Sequence, residues 1–470
     1  MLRGDLLNTL FRKKPISEVG NHNEHHTRLK PCLTASDLVF FGIGAIIGAG
    51  IFVLTGIAAA TQAGPAIVVS FIVAGLACAF AALSYAELAA SVGGCGSAYG
   101  YAYAALGEFI AWMIGWDLIL EYAVGVSTVA IGWSGYVNNT LAGLGLSIPT
   151  SLLKGPLEGG ILNLPAVSII CLVASLLMIG VKMSARFNKI MVLVKLLVIG
   201  LFIVIALLHV EPAHWTPFAP FGWSGIMSGA ALIFFAYIGF DAVSTTAEEV
   251  LHPARDLPIG IIGSLIVCTV LYIVVSGLLT GIIPYTQLNV SSPISQALLH
   301  LGYKMAASTI AVGALAGLTT VILVMYYGLT RVFLAMSRDG LLPRFFREIH
   351  PKTYTPIRII LTSGIIMSIF SAFIPIHDLA ELVNIGTLAA FVVVCVGVIL
   401  MRYTHPELAR PFKVPGMPLT PLLGIFFCFY LIASLHIITW LRFVVWLGLG
   451  SFVYCIYSRK HSALNRSLKP

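Results

Sequence analysis

Stretches of about 20 residues with almost no charged side chain recur along this chain from Ser36 to its C-terminal region. A helix of that length spans roughly 30 Å, which is the thickness of the hydrocarbon core of a bilayer. The segments between the stretches are short, and 59% of all residues are hydrophobic while only 10% are charged. The pattern predicts an all-α polytopic membrane protein without a soluble catalytic domain.

We predict twelve membrane-crossing helices. They cover residues 36–60, 65–90, 107–137, 163–181, 188–209, 224–245, 259–281, 305–336, 357–374, 379–402, 419–438 and 440–458. Residues 1–35 and 459–470 then form the N-terminal and C-terminal tails.

The distribution of basic residues predicts the orientation in the membrane. With both termini in the cytoplasm, all but four of the 27 Lys and Arg residues lie on the cytoplasmic side. The exceptions are Lys154, Lys304 and Arg442 on the outer side and Lys195 within a span. The sequence therefore predicts an integral membrane protein with both termini in the cytoplasm.

The net charge of +8 belongs to the cytoplasmic loops, which face anionic membrane lipid. No compact basic domain is present, so nucleic acid is not an expected partner. His22, Glu24, His25 and His26 cluster in the tail, but their spacing matches no zinc motif, and neither a metal site nor a cofactor is predicted.

Glycines interrupt the first span, where residues 42–52 read GIGAIIGAGIF. Each glycine lowers helix stability by up to about 1 kcal/mol relative to alanine, so the helix can unwind there. Close helix packing is the alternative, because Gly44 and Gly48 also form a GxxxG motif. A dinucleotide-binding fingerprint is excluded by the glycine spacing.

The sixth span, where residues 234–241 read FFAYIGFD, favours the broken-helix interpretation. Spans one and six begin two sets of five helices, residues 36–209 and 224–402, and corresponding helices are the discontinuous ones in transporters built from inverted repeats. A broken helix exposes N–H groups that suit a carboxylate and C=O groups that suit an ammonium. This chemistry predicts a free α-amino acid as substrate.

At these residues the chain resembles the amino acid-polyamine-organocation superfamily, and further motifs resemble the shorter bacterial form of its cationic amino acid transporter family. These motifs are SYAEL at 84–88, FAYIGFD at 235–241, EE at 248–249 with PARDLP at 253–258, and AMSRDGLLP at 335–343. The resemblance covers nearly the whole chain after Thr34. It implies a LeuT-like fold of two inverted five-helix repeats, two extra helices at 419–458, and alternating access. It also implies that the protein lies in a bacterial inner (plasma) membrane.

The resemblance also implies a binding site for the substrate. Its carboxylate would meet the backbone near Ile46, Ala49 and Gly50. Its ammonium would meet carbonyl groups, and the Phe235 ring would act as a gate; the carbonyl residues are Phe235, Ala236 and Ile238. The family places a residue that limits side-chain room at Met325, for which ordinary packing is the alternative.

Lys195 lies about seven residues inside the fifth span, where a charge is costly. Burial disfavours its charged form, so we expect Lys195 to take up a proton from outside and release it inside. In related sodium-driven transporters a cation occupies this place. The alternative is a long side chain that reaches back to the membrane surface.

Three acidic residues are further candidates for proton coupling. Asp117 and Glu121 are four residues apart on span three and hence on one helix face. Either could carry a proton or contact the substrate ammonium, or the two could form a hydrogen-bonded packing pair. Asp241, just past the break in span six, is a similar candidate.

Together these features favour a proton-coupled symporter of small neutral L-amino acids. An amino acid exchanger, or a transporter of arginine or lysine with the same fold, is the alternative. A sensor or intramembrane enzyme is disfavoured because no HExxH motif or P-loop is present. Whether a small accessory membrane subunit accompanies the chain is left open by the sequence.

Overall fold

The computed structural model describes residues 12–15, 33–94, 96–143, 145–146, 148–179, 182–351, 353 and 355–467. Most of the predicted N-terminal tail, including the histidine cluster at 22–26, lies outside these residues.

The described chain is helical, and the only strand-like pairing within it is an isolated parallel bridge between Leu33 and Val250. The longer α-helices are α1 (Ala35–Ile46), α2 (Ile67–Ser91), α3 (Ala98–Ala105), α4 (Glu108–Gly143), α5 (Leu164–Ile179), α6 (Lys182–Leu207), α7 (Gly222–Ile233), α8 (Pro253–Ile282), α9 (Pro293–His300), α10 (Lys304–Arg338), α11 (Ile357–Phe373), α12 (Ile376–Thr404), α13 (Leu419–Ala433) and α14 (Ile437–Val453).

Eight helical stretches within the described residues are long and apolar enough to cross a membrane. The first, Ala35–Ser91, has 57 residues. A straight helix of that size would be about 85 Å long, so this stretch cannot be a single crossing. It is interrupted after Ile46 and again at Gly64, where φ is +63° and Pro65 follows.

Three further apolar helices, α5, α11 and α13, have 16, 17 and 15 residues. They coincide with predicted spans four, nine and eleven but are somewhat shorter than the roughly 20 residues of a full crossing. The all-helical class is therefore confirmed, whereas the count of twelve crossings stays a prediction.

Helices α4 and α10 pack against each other along the centre of the molecule. Helix α12 lies on α4, while α8 contacts both α1 and α2. Large aromatic side chains of α4, among them Trp112, Tyr122 and Tyr136, are fully buried. The interior is therefore built from the helices that surround the first and sixth predicted spans.

Helices α6 and α14 expose large aliphatic side chains on their outer faces. Leu197 is 75% exposed and Leu441 is 60% exposed. Further exposed members of the two rows are Leu193, Leu201, Val204, Val444, Val445 and Leu449. Continuous apolar surface of this extent suits lipid and not water, so the chain is an integral membrane protein.

Candidate functional site

The first predicted break is present in α1. The α-helix ends at Ile46, and Ile47 is extended with ψ 98°. Helical structure resumes as a π-helical turn over Gly50–Leu54. The unwound residues thus coincide with the glycine-rich sequence, as the low helix stability of glycine predicts.

The second predicted break follows α7. A 3-10 turn occupies Phe234–Tyr237, and Ile238 is extended with ψ 137°. Gly239 has φ +117°, a conformation that favours glycine, and a Cβ added there would lie 2.9 Å from the Cβ of Ala45. Helical turns resume over Asp241–Glu249.

The two breaks lie directly against each other. A Cβ added to Gly50 would overlap the backbone of Ala236. The Tyr272 hydroxyl of α8 lies 2.9 Å from the carbonyl oxygen of Ile46 and 2.8 Å from that of Ala236. Tyr272 therefore links the two unwound segments, because its single hydroxyl proton is shared between their carbonyl groups.

Lys195 reaches the end of α1 from α6. Its Nζ donates to the carbonyl oxygens of Gly44 and Ile47, both at 2.9 Å, and to the Thr320 hydroxyl at 3.3 Å. The side chain is 0% exposed and its Nζ is bonded in the interior, so the alternative, a side chain that reaches back to the membrane surface, is wrong. The ammonium satisfies carbonyl groups that a helix end leaves without intrahelical partners.

The three predicted carboxylates are also buried. Asp117 and Glu121 are each 1% exposed and Asp241 is 0% exposed. The Tyr122 hydroxyl donates to Asp241 Oδ2 at 2.6 Å. Neither oxygen of Asp117 has a hydrogen-bond partner within the described residues, so the hydrogen-bonded packing pair with Glu121 is wrong.

Met325 lies between α10 and α4. A Cβ added to Gly125 of α4 would overlap the Met325 Cε, so the methionine fills the space that this glycine leaves. The residue one turn earlier on α10, Val321, faces the first break, because its Cγ2 lies 2.7 Å from where a Gly48 Cβ would be. Sequence reasoning did not identify Val321, although it is four residues before Met325 and so lies on the same face of α10.

Tyr272 and Thr320 are two further residues that sequence reasoning missed. Each is a hydroxyl in an apolar helix, and a buried hydroxyl needs a hydrogen-bond partner. The sequence could therefore have predicted a polar contact for each of these two hydroxyl groups. It could not identify the broken helices as the partners, since these lie far away along the chain.

The predicted substrate-binding residues of the two breaks lie at the unwound segments or beside them, Met325 lies against α4, and all of them are buried. They are Ile46, Ala49, Gly50, Phe235, Ala236, Ile238 and Met325. The candidate site is therefore closed to bulk solvent in this conformation.

A buried ion pair lies beyond the breaks, toward the end of α10. Arg331 Nη2 lies 3.0 Å from Glu249 Oε1, and the Tyr327 hydroxyl donates to the same oxygen at 2.6 Å. The backbone of Glu249 also accepts from the Leu33 N–H at 2.9 Å. These contacts hold the second half of span six against α10 and against the segment before α1.

Two broken helices that meet inside an all-helical membrane protein are typical of secondary transporters. The profile of the family described as "Amino acid permease" matches residues 33–458 of this chain. The chain belongs to this amino acid permease family, whose function is amino acid transport.

Several proteins of known name are similar to this chain over most of its length. The branched-chain amino acid permease BcaP of Bacillus subtilis (strain 168) is 51% identical over 463 residues, covering 97% of this chain and 99% of that protein. The methylthioribose transporter of the same organism is 48% identical over 462 residues, covering 98% and 100%. The vacuolar cationic amino acid transporter 4 of Arabidopsis thaliana is 38% identical over 412 residues, covering 85% and 68%.

Proposed function

We propose that this protein imports neutral aliphatic L-amino acids together with protons. The observation that carries the proposal is the contact of the buried Lys195 ammonium with the carbonyl groups of Gly44 and Ile47. It links the protonation state of one side chain to the shape of the broken helix.

Counting hydrogen-bond donors explains the coupling. A protonated lysine has three N–H donors, and the three neighbours of Lys195 are the carbonyls of Gly44 and Ile47 and the hydroxyl of Thr320. A neutral amine keeps two donors and turns a lone pair toward the third neighbour. The Thr320 hydroxyl donates its own proton to the Gly317 carbonyl at 2.7 Å, so it does not donate to that lone pair. Loss of the Lys195 proton therefore weakens the hydrogen bonds that hold the end of α1.

The same break provides groups for the substrate. The start of the helical segment at Gly50 presents N–H groups that suit the substrate carboxylate, although the Phe52 N–H already donates to the Gly48 carbonyl at 3.2 Å. Carbonyl oxygens of Phe235, Ala236 and Ile238 suit the ammonium. Ala236 O already accepts from Tyr272, so the substrate would use its second lone pair.

The side chain of the substrate is proposed to be neutral and of limited size. Val321 occupies space beside the first break at Gly48, and Met325, one turn further along α10, fills the space beside Gly125, which favours a small aliphatic group. The printed name of the branched-chain amino acid permease, 51% identical, agrees with a neutral substrate. The similar methylthioribose transporter makes substrate competition an essential measurement.

The finer architecture belongs to the same proposal. We assign twelve crossings in a LeuT-like arrangement, with residues 36–209 and 224–402 as inverted repeats and 419–458 as the two extra helices. Both termini would lie in the cytoplasm and the protein in the plasma membrane. The paired breaks in α1 and after α7 support this assignment.

The proposal is tested with purified protein in proteoliposomes. Uptake of labelled alanine and leucine is measured with and without an inward proton gradient, using unlabelled arginine, lysine and methylthioribose as competitors. Gradient-stimulated uptake that resists arginine and methylthioribose supports the proposal. Uptake that ignores the gradient and requires internal substrate would establish an exchanger instead.

The unpartnered carboxylates favour a second candidate, transport of arginine or lysine. Asp117 has two oxygens without a hydrogen-bond partner in the described part of the chain, and Asp241 has one. A cationic substrate side chain would neutralise such a group. Competition by arginine alone in the uptake assay would select this candidate.

A further inference from the structure

Asn384 contacts the second break in the way that Lys195 contacts the first. It lies on α12 and is 0% exposed. Its Nδ2 donates to the carbonyl oxygen of Ala231 at 2.8 Å and to that of Leu232 at 3.1 Å. Both carbonyls belong to the last turn of α7, where regular helical hydrogen bonding ends. The amide therefore supplies donors to the end of α7, directly before the break.

The positions of the two donors along the chain correspond closely. Lys195 Nζ donates to the carbonyls of Gly44 and Ile47 at the end of α1. Lys195 and Gly44 are 151 residues apart, and Asn384 and Ala231 are 153 residues apart. Nearly equal separations are expected when two donors occupy equivalent positions in two structural repeats.

The helices that carry these groups correspond in the same way. Helices α1 and α7 are the first parts of predicted spans one and six, and α6 and α12 cover predicted spans five and ten. Spans five and ten are the last members of the two sets of five helices. The same contact is therefore made twice, once in each set.

The two donors differ in their chemistry. The ammonium of Lys195 can lose a proton, whereas the amide of Asn384 does not titrate and keeps both N–H donors. Both of these donors have an acceptor, and the Asn384 Oδ1 has no hydrogen-bond partner in the part of the chain that the structure describes. The hydrogen bonds at the end of α7 are thus independent of pH, unlike those at the end of α1.

The end of α7 leads directly into the second break. The 3-10 turn over Phe234–Tyr237 begins immediately after α7, and Ile238 is extended. The carbonyls of Phe235, Ala236 and Ile238, which we propose as partners of the substrate ammonium, follow Ala231 within seven residues. A displacement of the end of α7 would therefore displace these carbonyls.

Helix α12 is itself held in place near Asn384. The Thr439 hydroxyl of α14 donates to Glu381 at 2.5 Å, and Glu381 lies one turn before Asn384. The helix also packs along α4. The amide therefore lies on a well-supported helix, which is what the positioning of another group requires.

We propose that Asn384 is a positioning residue for substrate binding: it holds the end of α7, and with it the carbonyls of the second break, in the binding geometry at every pH. Lys195 is then the donor whose hydrogen bonds change during transport, and Asn384 is the donor whose hydrogen bonds do not. This inference rests on the proposed transport function and assigns different roles to the two breaks.

The experiment measures the initial rate of alanine uptake into proteoliposomes against alanine concentration. Wild type is compared with Asn384→Ala, which removes both donors, and with Asn384→Ser, which retains one. Thr280→Ala on α8 is the control, because Thr280 is also 0% exposed but donates only to carbonyls of its own helix. Each measurement is made with a proton gradient, without one, and as exchange against internal alanine.

Asn384→Ala should raise the KM for alanine about tenfold, and Asn384→Ser should raise it less. The ratio of uptake with and without the gradient should stay as in wild type. A purely structural role would lower the melting temperature and the maximal rate, as in Thr280→Ala, without a change in KM.

An unchanged KM in both Asn384 variants would overturn the proposal, as would loss of gradient stimulation like that expected for Lys195→Met. Wild-type uptake that ignores the gradient would instead count against proton coupling. The KM values from the exchange measurement would then still decide the role of Asn384: a rise confined to the Asn384 variants supports it, and equal values refute it.

Discussion

The side-chain nitrogen of Lys195 lies 2.9 Å from the carbonyl oxygen of Ile47, at the residue where α1 ceases to be helical. The negative end of a helix dipole and a carbonyl without an intrahelical partner meet a buried ammonium at this point. A change in the charge of Lys195 must therefore change the hydrogen bonds of the unwound segment.

Lys195→Met is expected to abolish proton-driven transport. The substitution keeps a side chain of similar length but leaves the carbonyls of Gly44 and Ile47 without their donor. Gradient-stimulated alanine uptake in proteoliposomes should fall roughly tenfold or more. The matched control is Lys189→Met, on the same helix, whose side chain is 43% exposed. Full gradient-driven uptake by Lys195→Met would refute the proton-coupling role.

Gly50→Ala is expected to separate the two breaks. The added methyl group would overlap the Ala236 backbone, which cannot move aside as a flexible side chain can. Both the melting temperature and the uptake rate should fall. Gly200→Ala on α6 is the control, since a Cβ there meets nothing within 4 Å and should be neutral or stabilise by up to about 1 kcal/mol. Normal uptake by Gly50→Ala would mean that the two segments do not need this contact.

Tyr272→Phe is expected to loosen the link between the unwound segments. It removes only the hydroxyl that donates to the carbonyls of Ile46 and Ala236, at a cost of about 1–3 kcal/mol. Alanine uptake should be reduced, with a lower melting temperature. Tyr430→Phe, on the lipid-facing side of α13 and 40% exposed, serves as the control. If both variants behave alike, the hydroxyl bridge has no role in transport.

Loss of the buried ion pair between Arg331 and Glu249 is expected to be severe. Arg331→Met leaves a 9% exposed carboxylate without its guanidinium partner, which costs about 3–5 kcal/mol when a pair is buried. Adding Glu249→Gln should recover part of the melting temperature. The exposed pair of Arg358 and Glu348 provides the comparison, because its loss should cost at most about 1 kcal/mol. If loss of either pair lowered the melting temperature equally, the buried pair would not contribute more to stability than the exposed pair.

Met325→Ala separates the two interpretations of Met325. If the side chain limits room for the substrate, larger amino acids such as phenylalanine or arginine should begin to compete with alanine uptake. If it only fills the gap left by Gly125, the melting temperature should fall while competition stays unchanged. Met336→Ala is the control, because Met336 faces Gly115 on α4 in the same way, with its Sδ 2.5 Å from the Cβ position. Its substrate range should not change.

Much of the fold could be predicted from local properties of the sequence. The length of the apolar stretches determines that the chain is an integral membrane protein of helices. Glycine content determines where the helices unwind, and both breaks lie where residues 42–52 and 234–241 predict them. These properties are local because hydrophobic length and helix propensity depend only on neighbouring residues.

The tertiary structure alone decided what each buried polar side chain contacts. Lys195 lies 151 residues from Gly44 along the chain, and its hydrogen bond depends on how α6 packs against α1. The same holds for Tyr272, which joins two breaks, and for Asp117, which does not pair with Glu121 although both share a helix face. Such contacts are set by the distance and rotation between helices, and a single sequence encodes these only through the packing of the whole fold.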